Sequence, residues 1–540
     1  MADPIAIRED VRARLARWGG FEQGPRASDL TVRLHRAGDL PAAAAQLGAA
    51  GLSLATLVAT DDEATADGDV KVRYIFEPAE GSAVPLPDLF VTLVASLDPG
   101  QPSLPSLSAQ VPAANWHERE AQDLLGVAFT GHPDPRPLVV HDGWPKGLHP
   151  LRKRFDASRR PPVEPAEEFP HLVVEGEGVF EVPVGPIHAG IIEPGHFRFS
   201  TVGESVLNLE PRLFYTHRGL EKRIEGLPVG DAFYVAERIC GVCSVSHGLG
   251  FCEASEQIAG VEVPRRARLL RTVALELERL YNHVGDIGNI AAGASYHYGT
   301  SAGLRMKEGL QQVNEELAGS RFLRGLLTPG GVELDLDAGL GRSIEAAMAA
   351  TEEALGSLVE RFENNPTVTD RLDGTGLLSR RDAVALGVTG VAARASGVDR
   401  DARRDHPHAA YAGETGLEVS VATEADGDVH ARVNVRAAEA RESIRLVRVL
   451  LGSMPSGPIR APMPALLPPW RVGLAAIESP RGAAIHWLRS DAAGRIDRYH
   501  LRSASYANWP AVPIAAQSAI VPDFPLVNKS FELCYSCTDR

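Results

Sequence analysis

The chain has 540 residues, of which 44% are apolar and 23% charged, a composition typical of a globular protein with two or three domains. Its net charge of −15 argues against nucleic acid as a main partner, and no run of about eighteen apolar residues is present that could span a bilayer. Five cysteines are too few for a disulfide scaffold and suit a reducing compartment, and the first residues do not have the pattern of a secretion signal.

The N-terminal part, residues 1–155, has the pattern of a small mixed α/β domain. Apolar residues at helical spacing alternate there with short runs rich in β-branched residues, which favour strands. The predicted helices cover 10–18 and 42–51, and the predicted strands cover 52–59, 70–76 and 89–95. Because polar turns separate these segments, we expect a sheet with helices packed on one face.

A proline-rich segment separates this domain from the rest of the chain. Residues 156–170 contain four prolines and six charged residues, too polar for a core, and are predicted to form an extended linker. Residues 171–540 open with a β-rich stretch at 172–199 and continue with long helical patterns. The clearest of these patterns cover 263–280, 343–362 and 433–451. The sequence therefore predicts an α+β protein, with an N-terminal α/β sandwich domain followed by a mainly helical domain.

Four of the five cysteines lie in two Cys-x-x-Cys pairs, both within the second predicted domain. Cys240 and Cys243 form the first pair, and Cys534 and Cys537 form the second. Two such pairs can close a four-sulfur metal site if the fold brings them together. Structural zinc, a dithiol redox pair, an iron–sulfur cluster and nickel all suit soft thiolates, so the ligand type leaves these alternatives open. Cys252 lies outside both pairs and is interpreted as a small buried apolar residue.

The residues around the two pairs resemble the large subunit of NiFe hydrogenases. The segments Arg238-Ile-Cys-Gly-Val-Cys-Ser-Val-Ser-His247 and Cys534-Tyr-Ser-Cys-Thr-Asp-Arg540 carry this resemblance, since they fix residue order and spacing at both ends of the domain. The resemblance implies that nickel is held by Cys240, Cys243, Cys534 and Cys537. It also implies that Cys243 and Cys537 bridge nickel to an iron ion that carries cyanide and carbon monoxide ligands.

The same resemblance implies roles for further side chains. Cys534 is the expected proton acceptor when H2 is split, and Glu193 resembles the family's proton-relay glutamate. Arg481 resembles the arginine that hangs over the open metal position, and His247 is expected to hydrogen-bond a bridging sulfur. Without the resemblance, Glu193 is more typical of a surface or capping carboxylate. Arg481 is then equally typical of a solvated arginine at a helix start, and the alternative for His247 is a buried structural histidine.

Two features near the end of the sequence bear on this assignment. The family has Asp-Pro before its second cysteine pair, whereas this sequence has Glu532-Leu533, which keeps a carboxylate and loses the turn made by the proline. Family members often lose a C-terminal peptide after the third residue beyond the last cysteine, which is Arg540 here. We therefore expect either a mature form or a sequence that never carried the extension.

Other motifs resemble two subunits of respiratory complex I. The segments that resemble its quinone-site catalytic subunit, the 49-kDa subunit, are 186–190, 215–222, 283–289 and 298–305. Those that resemble the 30-kDa subunit of its peripheral arm are 116–126, 129–133 and 149–153. A fusion of both modules that keeps four cysteines resembles the group 4 energy-converting hydrogenases, of the formate hydrogenlyase and hydrogenase-4 type, over roughly residues 50–540.

This resemblance implies the catalytic large subunit of a membrane-associated hydrogenase that interconverts H2 with protons and electrons. The alternatives are a complex I-like NADH-quinone oxidoreductase subunit with a role at the quinone site, and a non-catalytic scaffold with a structural four-cysteine metal site. The implied partners are a small subunit with a 4Fe-4S cluster, a ferredoxin-like subunit and antiporter-like membrane subunits. We expect these partners to hold the chain, without a span of its own, at the cytoplasmic face of the cell membrane.

Overall fold

The computed structural model describes residues 4–62, 68–79, 88–165, 169–189, 192–414, 416–517 and 519–540, with side chains from residue 8 onward. The elements of the N-terminal region are α1 (Pro4–Leu15), β1 (Gly19–Gln23), β2 (Leu30–Leu34), α2 (Leu40–Ala49), β3 (Leu52–Asp61), β4 (Val70–Pro78), β5 (Val91–Leu97), β6 (Ser103–Pro105), α3 (Ala114–Leu125) and β7 (Ala128–Thr130). Its main sheet has the order β1-β2-β5-β4-β3, in which β2 and β5 are parallel and the other neighbours antiparallel.

The predicted strands of this region are present as β3, β4 and β5, and the second predicted helix as α2. The first predicted helix is displaced, because α1 ends at Leu15 and Trp18 joins the buried core beside β1. The sequence does not predict β1 and β2. Two of the five residues of β1 are glycines, which are depleted in strands and hide the alternation of apolar and polar side chains.

The second region is longer and mainly helical. Its elements are β8 (Val179–Val184), β9 (His196–Val202), β10 (Ser205–Arg212), α4 (Leu220–Ile224), α5 (Val229–Ala236), α6 (Ser244–Ala259), α7 (Arg265–Gly293), α8 (His297–Ala318), β11 (Leu327–Thr328), β12 (Gly331–Val332), α9 (Ala338–Glu363), α10 (Pro366–Leu372), α11 (Arg380–Ala385), α12 (Gly390–Ala395), α13 (Ala402–Asp405), α14 (Val429–Gly452), β13 (Val472–Ser479), β14 (Gly482–Ser490), β15 (Ile496–Arg502), α15 (Ala504–Asn508), α16 (Val512–Ala516), α17 (Phe524–Phe531) and α18 (Tyr535–Asp539).

Helix α7 is the central element of this region. It is buried on all sides for most of its length, as expected of a helix that packs against α8 on one flank and α14 on another. The contact with α8 is close because it is made between glycines: a Cβ on Gly303 would lie 2.6 Å from the Cα of Gly288. The three predicted helices correspond to α7, α9 and α14, and the predicted α+β class is confirmed.

The N-terminal sheet is covered on both faces. Helices α1, α2 and α3 share a core with one face, as the sequence predicts. Ala55, Val58 and Ile75 on the other face pack against Leu474 and Trp487 of the antiparallel sheet β13-β14-β15. The near-continuous apolar run of β3 is the sequence signal for this two-sided burial.

The predicted linker does not separate two independent cores. Residues 156–165 and 169–170 form neither helix nor strand and are mostly exposed, but the core beside α3 also contains Phe214 and Tyr506 from the second region. The domain boundary at 156–170 therefore stays a prediction. Within the described residues, no helix is both long enough and apolar enough to cross a membrane.

Candidate metal centre

The end of the chain folds back onto the first cysteine pair. The Sγ atoms of Cys240 and Cys534 lie 3.3 Å apart, and one ion could be within reach of Cys240, Cys243 and Cys537, whose Sγ atoms all lie within 4.8 Å of one another. Four sulfurs at about 2.3 Å from one ion would be separated by roughly 3 to 4 Å. The fold thus brings together the four cysteines named from the sequence: three of them share one candidate ion position, and the fourth, Cys534, lies against the sulfur of Cys240.

Each pair stands at the start of a helix. Cys243 is the N-cap residue of α6, and Cys534 is that of α18. The backbone N–H of Val242 donates to the Sγ of Cys240, and that of Cys537 donates to the Sγ of Cys534, both at 3.4 Å. Such donors stabilise a thiolate, which is the form of cysteine that binds metal ions.

Helix α7 fixes the first pair through two polar side chains that the sequence analysis did not single out. Glu278 is fully buried and accepts hydrogen bonds from the N–H groups of Val245 (2.7 Å) and Ser246 (3.0 Å) at the start of α6. Asn282 donates to the carbonyl of Val242 at 2.9 Å. Burial raises the pKa of Glu278 to about 7. The loop between the two cysteines is therefore held from the side of α7.

The sulfurs perturb one another's ionisation. Hydrogen bonds with Cys240 and Cys537 lower the pKa of Cys243 to about 6, whereas the interaction with Cys240 raises the pKa of Cys534 to about 12. Four neighbouring thiols do not all ionise without a cation among them, because like charges at this separation repel. A soft-ligand dication such as nickel or zinc fits this donor set.

Arg481 lies at the tight turn between β13 and β14 and is buried. Its Nη1 donates to Asp286 Oδ2 (2.5 Å) and its Nη2 to Asp286 Oδ1 (3.0 Å), a two-point ion pair. Gly482 has a φ of 125°, and a Cβ there would lie 2.6 Å from the backbone nitrogen of Gly390, so the turn needs glycine. Burial acts to lower the pKa of Arg481, but nearby acids and two of the sulfurs raise it. The guanidinium is thus a fixed positive charge near the sulfurs.

Asp286 and Glu532 are two acids of the site whose positions the sequence analysis did not predict. Asp286 also accepts from Arg436 Nε at 3.2 Å, and Glu532 accepts from Asn289 Nδ2. Burial raises the pKa of Glu532 to about 7. Glu532 ends α17 with a left-handed φ of 52°, so a turn is made here without the proline of the family pattern. The sequence signal for Asp286 was its place in segment 283–289, which belongs to a motif that resembles the complex I 49-kDa subunit.

Glu193 precedes β9 and contacts the second cysteine pair through Ser536. The N–H of Ser536 donates to Glu193 Oε2 at 3.0 Å, and its hydroxyl donates to Glu193 Oε1. Ser536 stands between Cys534 and Cys537 in the sequence, so the carboxylate lies against the turn that carries both. Glu193 is half-buried, so its carboxylate contacts the turn of the second cysteine pair and is also partly exposed to solvent.

His247 lies one turn into α6 and is buried. Its Nε2 is 3.3 Å from the Sγ of Cys537. Burial lowers the pKa of His247 to about 3, so the ring is neutral, and its Nε2 forms a hydrogen bond with this sulfur. Cys252 is placed elsewhere, fully buried in the apolar core around α6.

Different parts of the chain match three protein families. Residues 35–161 match the family described as respiratory-chain NADH dehydrogenase, 30 Kd subunit, and residues 297–474 and 468–540 match its 49 Kd subunit. Residues 218–286, which contain the first cysteine pair, match the nickel-dependent hydrogenase family.

The chain is also similar to individual proteins. Formate hydrogenlyase subunit 5 of Escherichia coli (strain K12) is 34% identical over 487 residues, which cover 89% of this chain and 84% of that protein. Hydrogenase-4 component G of the same organism is 33% identical over 483 residues, which cover 89% and 82%. A chain of the membrane-bound sulfane sulfur reductase, an archaeal respiratory membrane complex, aligns with a TM-score of 0.63 and 26% identity over 67% of this chain and 99% of its own.

Proposed function

The chain belongs to the family that joins complex I 30-kDa and 49-kDa modules to a nickel-dependent hydrogenase domain and includes formate hydrogenlyase subunit 5 and hydrogenase-4 component G, and on this premise we propose that it is the catalytic large subunit of a membrane-associated NiFe hydrogenase. Its reaction would interconvert H2 with protons and electrons. One observation carries this proposal, the convergence of two distant Cys-x-x-Cys pairs.

The four sulfurs are the proposed ligands of a nickel–iron centre. Cys240, Cys243, Cys534 and Cys537 would together hold this centre. A bound centre would supply a Lewis acid that polarises H2. His247 supports this ligand set, since its hydrogen bond orients the sulfur of Cys537 and draws electron density from it.

The proposed proton path begins at the Sγ of Cys534. This sulfur belongs to the half-buried cysteine of the quartet, whereas the other three cysteines are buried. Ser536 ties the carboxylate of Glu193 to the same turn, so a proton released at the sulfur has a half-buried acceptor nearby. Arg481 would keep a positive charge beside the path without giving up its own proton, because a guanidinium stays charged at all ordinary pH.

Two alternatives to this function are less well supported. A subunit with only a quinone-site role has no use for a convergent quartet of thiols. A structural zinc scaffold would use the same quartet, but the region has a large helical core of its own and needs no metal to fold. The fold alone does not identify the reaction, because a solved structure with a similar fold is described as a sulfane sulfur reductase. The donor set and its surroundings favour hydrogen chemistry.

Electrons must enter through other subunits. Beyond the quartet this sequence has only Cys252, which is buried in the core, so it has no cysteines with which to hold an iron–sulfur cluster. The proposed partners are a small subunit with a 4Fe-4S cluster, a ferredoxin-like subunit and antiporter-like membrane subunits. These would place the chain at the cytoplasmic face of the membrane.

Metal analysis and infrared spectroscopy of the purified complex test the proposal. We expect about one nickel and one iron per chain, with infrared bands of cyanide and carbon monoxide ligands. Cys243→Ser should lose the nickel, whereas Cys252→Ser, the matched control in the same helix, should retain it. A complex that holds zinc alone would instead identify a structural metal site and overturn the proposal.

A further inference from the structure

The side chain of Arg540 is buried in an acidic pocket that draws on both regions of the molecule. Its Nη2 donates to Glu120 Oε2 at 2.7 Å and its Nη1 to Glu221 Oε1 at 3.0 Å. The Nη1 also donates to the carbonyl of Leu501. Glu120 lies on α3 in the N-terminal region, and Glu221 lies on α4 in the second region. A single guanidinium therefore joins two elements that are far apart in the sequence.

The pocket requires a cation. Oxygens of Glu120 and Glu221 and a ring nitrogen of His500 lie within 4.8 Å of one another, and all three residues are buried. Glu221 has a second cationic partner, Arg498, at 2.7 Å. Glu120 makes its described ion pair with Arg540. Because a buried carboxylate without a counter-ion is strongly unfavourable, this acid of the N-terminal region depends on the end of the chain for its charge balance.

Arg540 is also rigidly connected to the second cysteine pair. Helix α18 (Tyr535–Asp539) lies between Cys534 and Arg540 and contains Cys537. The carboxylate of Asp539 accepts hydrogen bonds from the N–H groups of Phe214 (2.9 Å) and Thr216 (3.0 Å), and the N–H of Arg218 donates to the carbonyl of Arg540 at 2.8 Å. The guanidinium of Arg540 is therefore one of several anchors of the short segment that carries the two sulfurs.

We propose that Arg540 is a positioning residue that couples docking of the N-terminal region to closure of residues 534–540 over the sulfur site. Its ion pair with Glu120 makes α3 a part of the structure that holds Cys534 and Cys537 in place. The segment 116–126 thus places a buried acid on α3 whose described ion pair is made with Arg540 of the second region. The coupling is a property of the polypeptide, and it holds whichever metal the sulfurs bind.

Thiol labelling of the full chain, prepared without metal, tests this coupling. We expect Glu120→Gln to increase the rate at which N-ethylmaleimide modifies Cys534 and Cys537 at least tenfold, as followed by mass spectrometry. The rate at Cys252 should stay unchanged and reports on global unfolding. Asp142→Asn is the matched control, since it removes an exposed ion pair with Arg212 between the same two regions and should leave all rates unchanged.

A second pair of variants separates charge from mere packing. Arg540→Gln should open residues 534–540 as strongly as Glu120→Gln, and the double variant should be no more open than either single one. Arg540→Lys keeps the charge and should restore slow labelling in part. Labelling of Cys534 and Cys537 at the wild-type rate in Glu120→Gln would overturn the proposal. If Glu120→Gln also exposes Cys252, the variant has unfolded and the two variants of Arg540 decide the question. Equal labelling rates in Arg540→Lys and Arg540→Gln would then overturn the proposal.

Discussion

Helix α7 contributes to two buried polar regions that differ in how their charges are matched. One is the sulfur site with Arg481 and Asp286. The other, here called the ionic cluster, lies where α7 meets α12, α13, α14 and β13. Its members are Glu276, Arg279, His283, Arg394, Asp401, Arg403, Glu439 and Glu478.

In the ionic cluster every charge has a partner of opposite sign. Arg394 lies 2.7 Å from Glu439 and 3.0 Å from Glu478, and Arg403 lies 2.7 Å from Asp401. In the sulfur site four thiols converge, and the nearby guanidinium of Arg481 is already paired with Asp286. A cluster whose charges are paired with one another stabilises the fold, whereas a cluster of thiolates requires a bound metal cation to balance its charge. Substitutions in the first should therefore change stability, and substitutions in the second should change metal content and turnover.

The largest effect is expected at the sulfur site itself. Cys534→Ser removes a proposed ligand and proton acceptor, so H2 turnover should fall on the order of 10⁴-fold. Turnover is measured as H2 production by the purified complex, with Cys252→Ser as the control that should remain active. Turnover at the native rate in Cys534→Ser would show that this sulfur does not accept the proton.

Glu193→Gln should come next, with a loss of about 10³-fold in H2 production. The amide oxygen can still accept from the N–H of Ser536 and the amide NH2 can donate to its hydroxyl oxygen, so nickel content and the thermal midpoint should stay unchanged, but the amide cannot take up a proton. Glu181→Gln, an exposed glutamate of the nearby β8, is the matched control. Normal H2 production in Glu193→Gln would remove this residue from the relay.

Local spacing made the cysteines, Glu193, Arg481 and His247 visible in the sequence, because each belongs to a short motif with a fixed order. The strands at 52–59, 70–76 and 89–95 and the long helices were likewise predictable from periodicity. The buried residues that contact the motif residues could not be predicted in this way. Asp286 and Glu278 stand in a helix where charged residues normally indicate an exposed face, and their burial depends on tertiary packing.

The same limit applies to contacts between distant segments. Nothing local indicates that Arg540 reaches Glu120, 420 residues away, or that β3 packs against β13 and β14. The sequence predicted helices on one face of the sheet, and the run of β3 did not indicate which element covers the other face. Long-range pairing is set by the whole fold, so it is the part of the site that sequence motifs leave out.

A substitution in the ionic cluster should reverse the pattern seen at the sulfur site. Glu439→Gln leaves the buried Arg394 without full charge compensation and weakens the hydrogen bond to His283, so the free energy of unfolding should fall by about 3 kcal/mol. Chemical denaturation measures this change, and H2 turnover per folded chain should stay near the native value. Glu352→Gln, which removes an exposed ion pair with Arg448, should have little effect and serves as the control. A loss of turnover without a loss of stability would contradict the comparison.

The smallest effect is expected from pH at a matched pair outside the ionic cluster. His406 lies 2.9 Å from Glu77 and stacks on Phe90 at 4.5 Å. Burial acts to lower the pKa of His406, but Asp88 and Glu77 outweigh it and raise this pKa above 6.5. A raised histidine pKa means that the protonated ring stabilises the fold below pH 6.5 and that this contribution is lost as pH rises through the folded-state pKa. Denaturation curves should therefore show stability declining above pH 6.5, and His406→Gln should flatten that part of the curve. If the stability of His406→Gln declined with pH as steeply as that of the wild type, other groups would cause the decline. The ion pair of His406 would then contribute nothing measurable to stability.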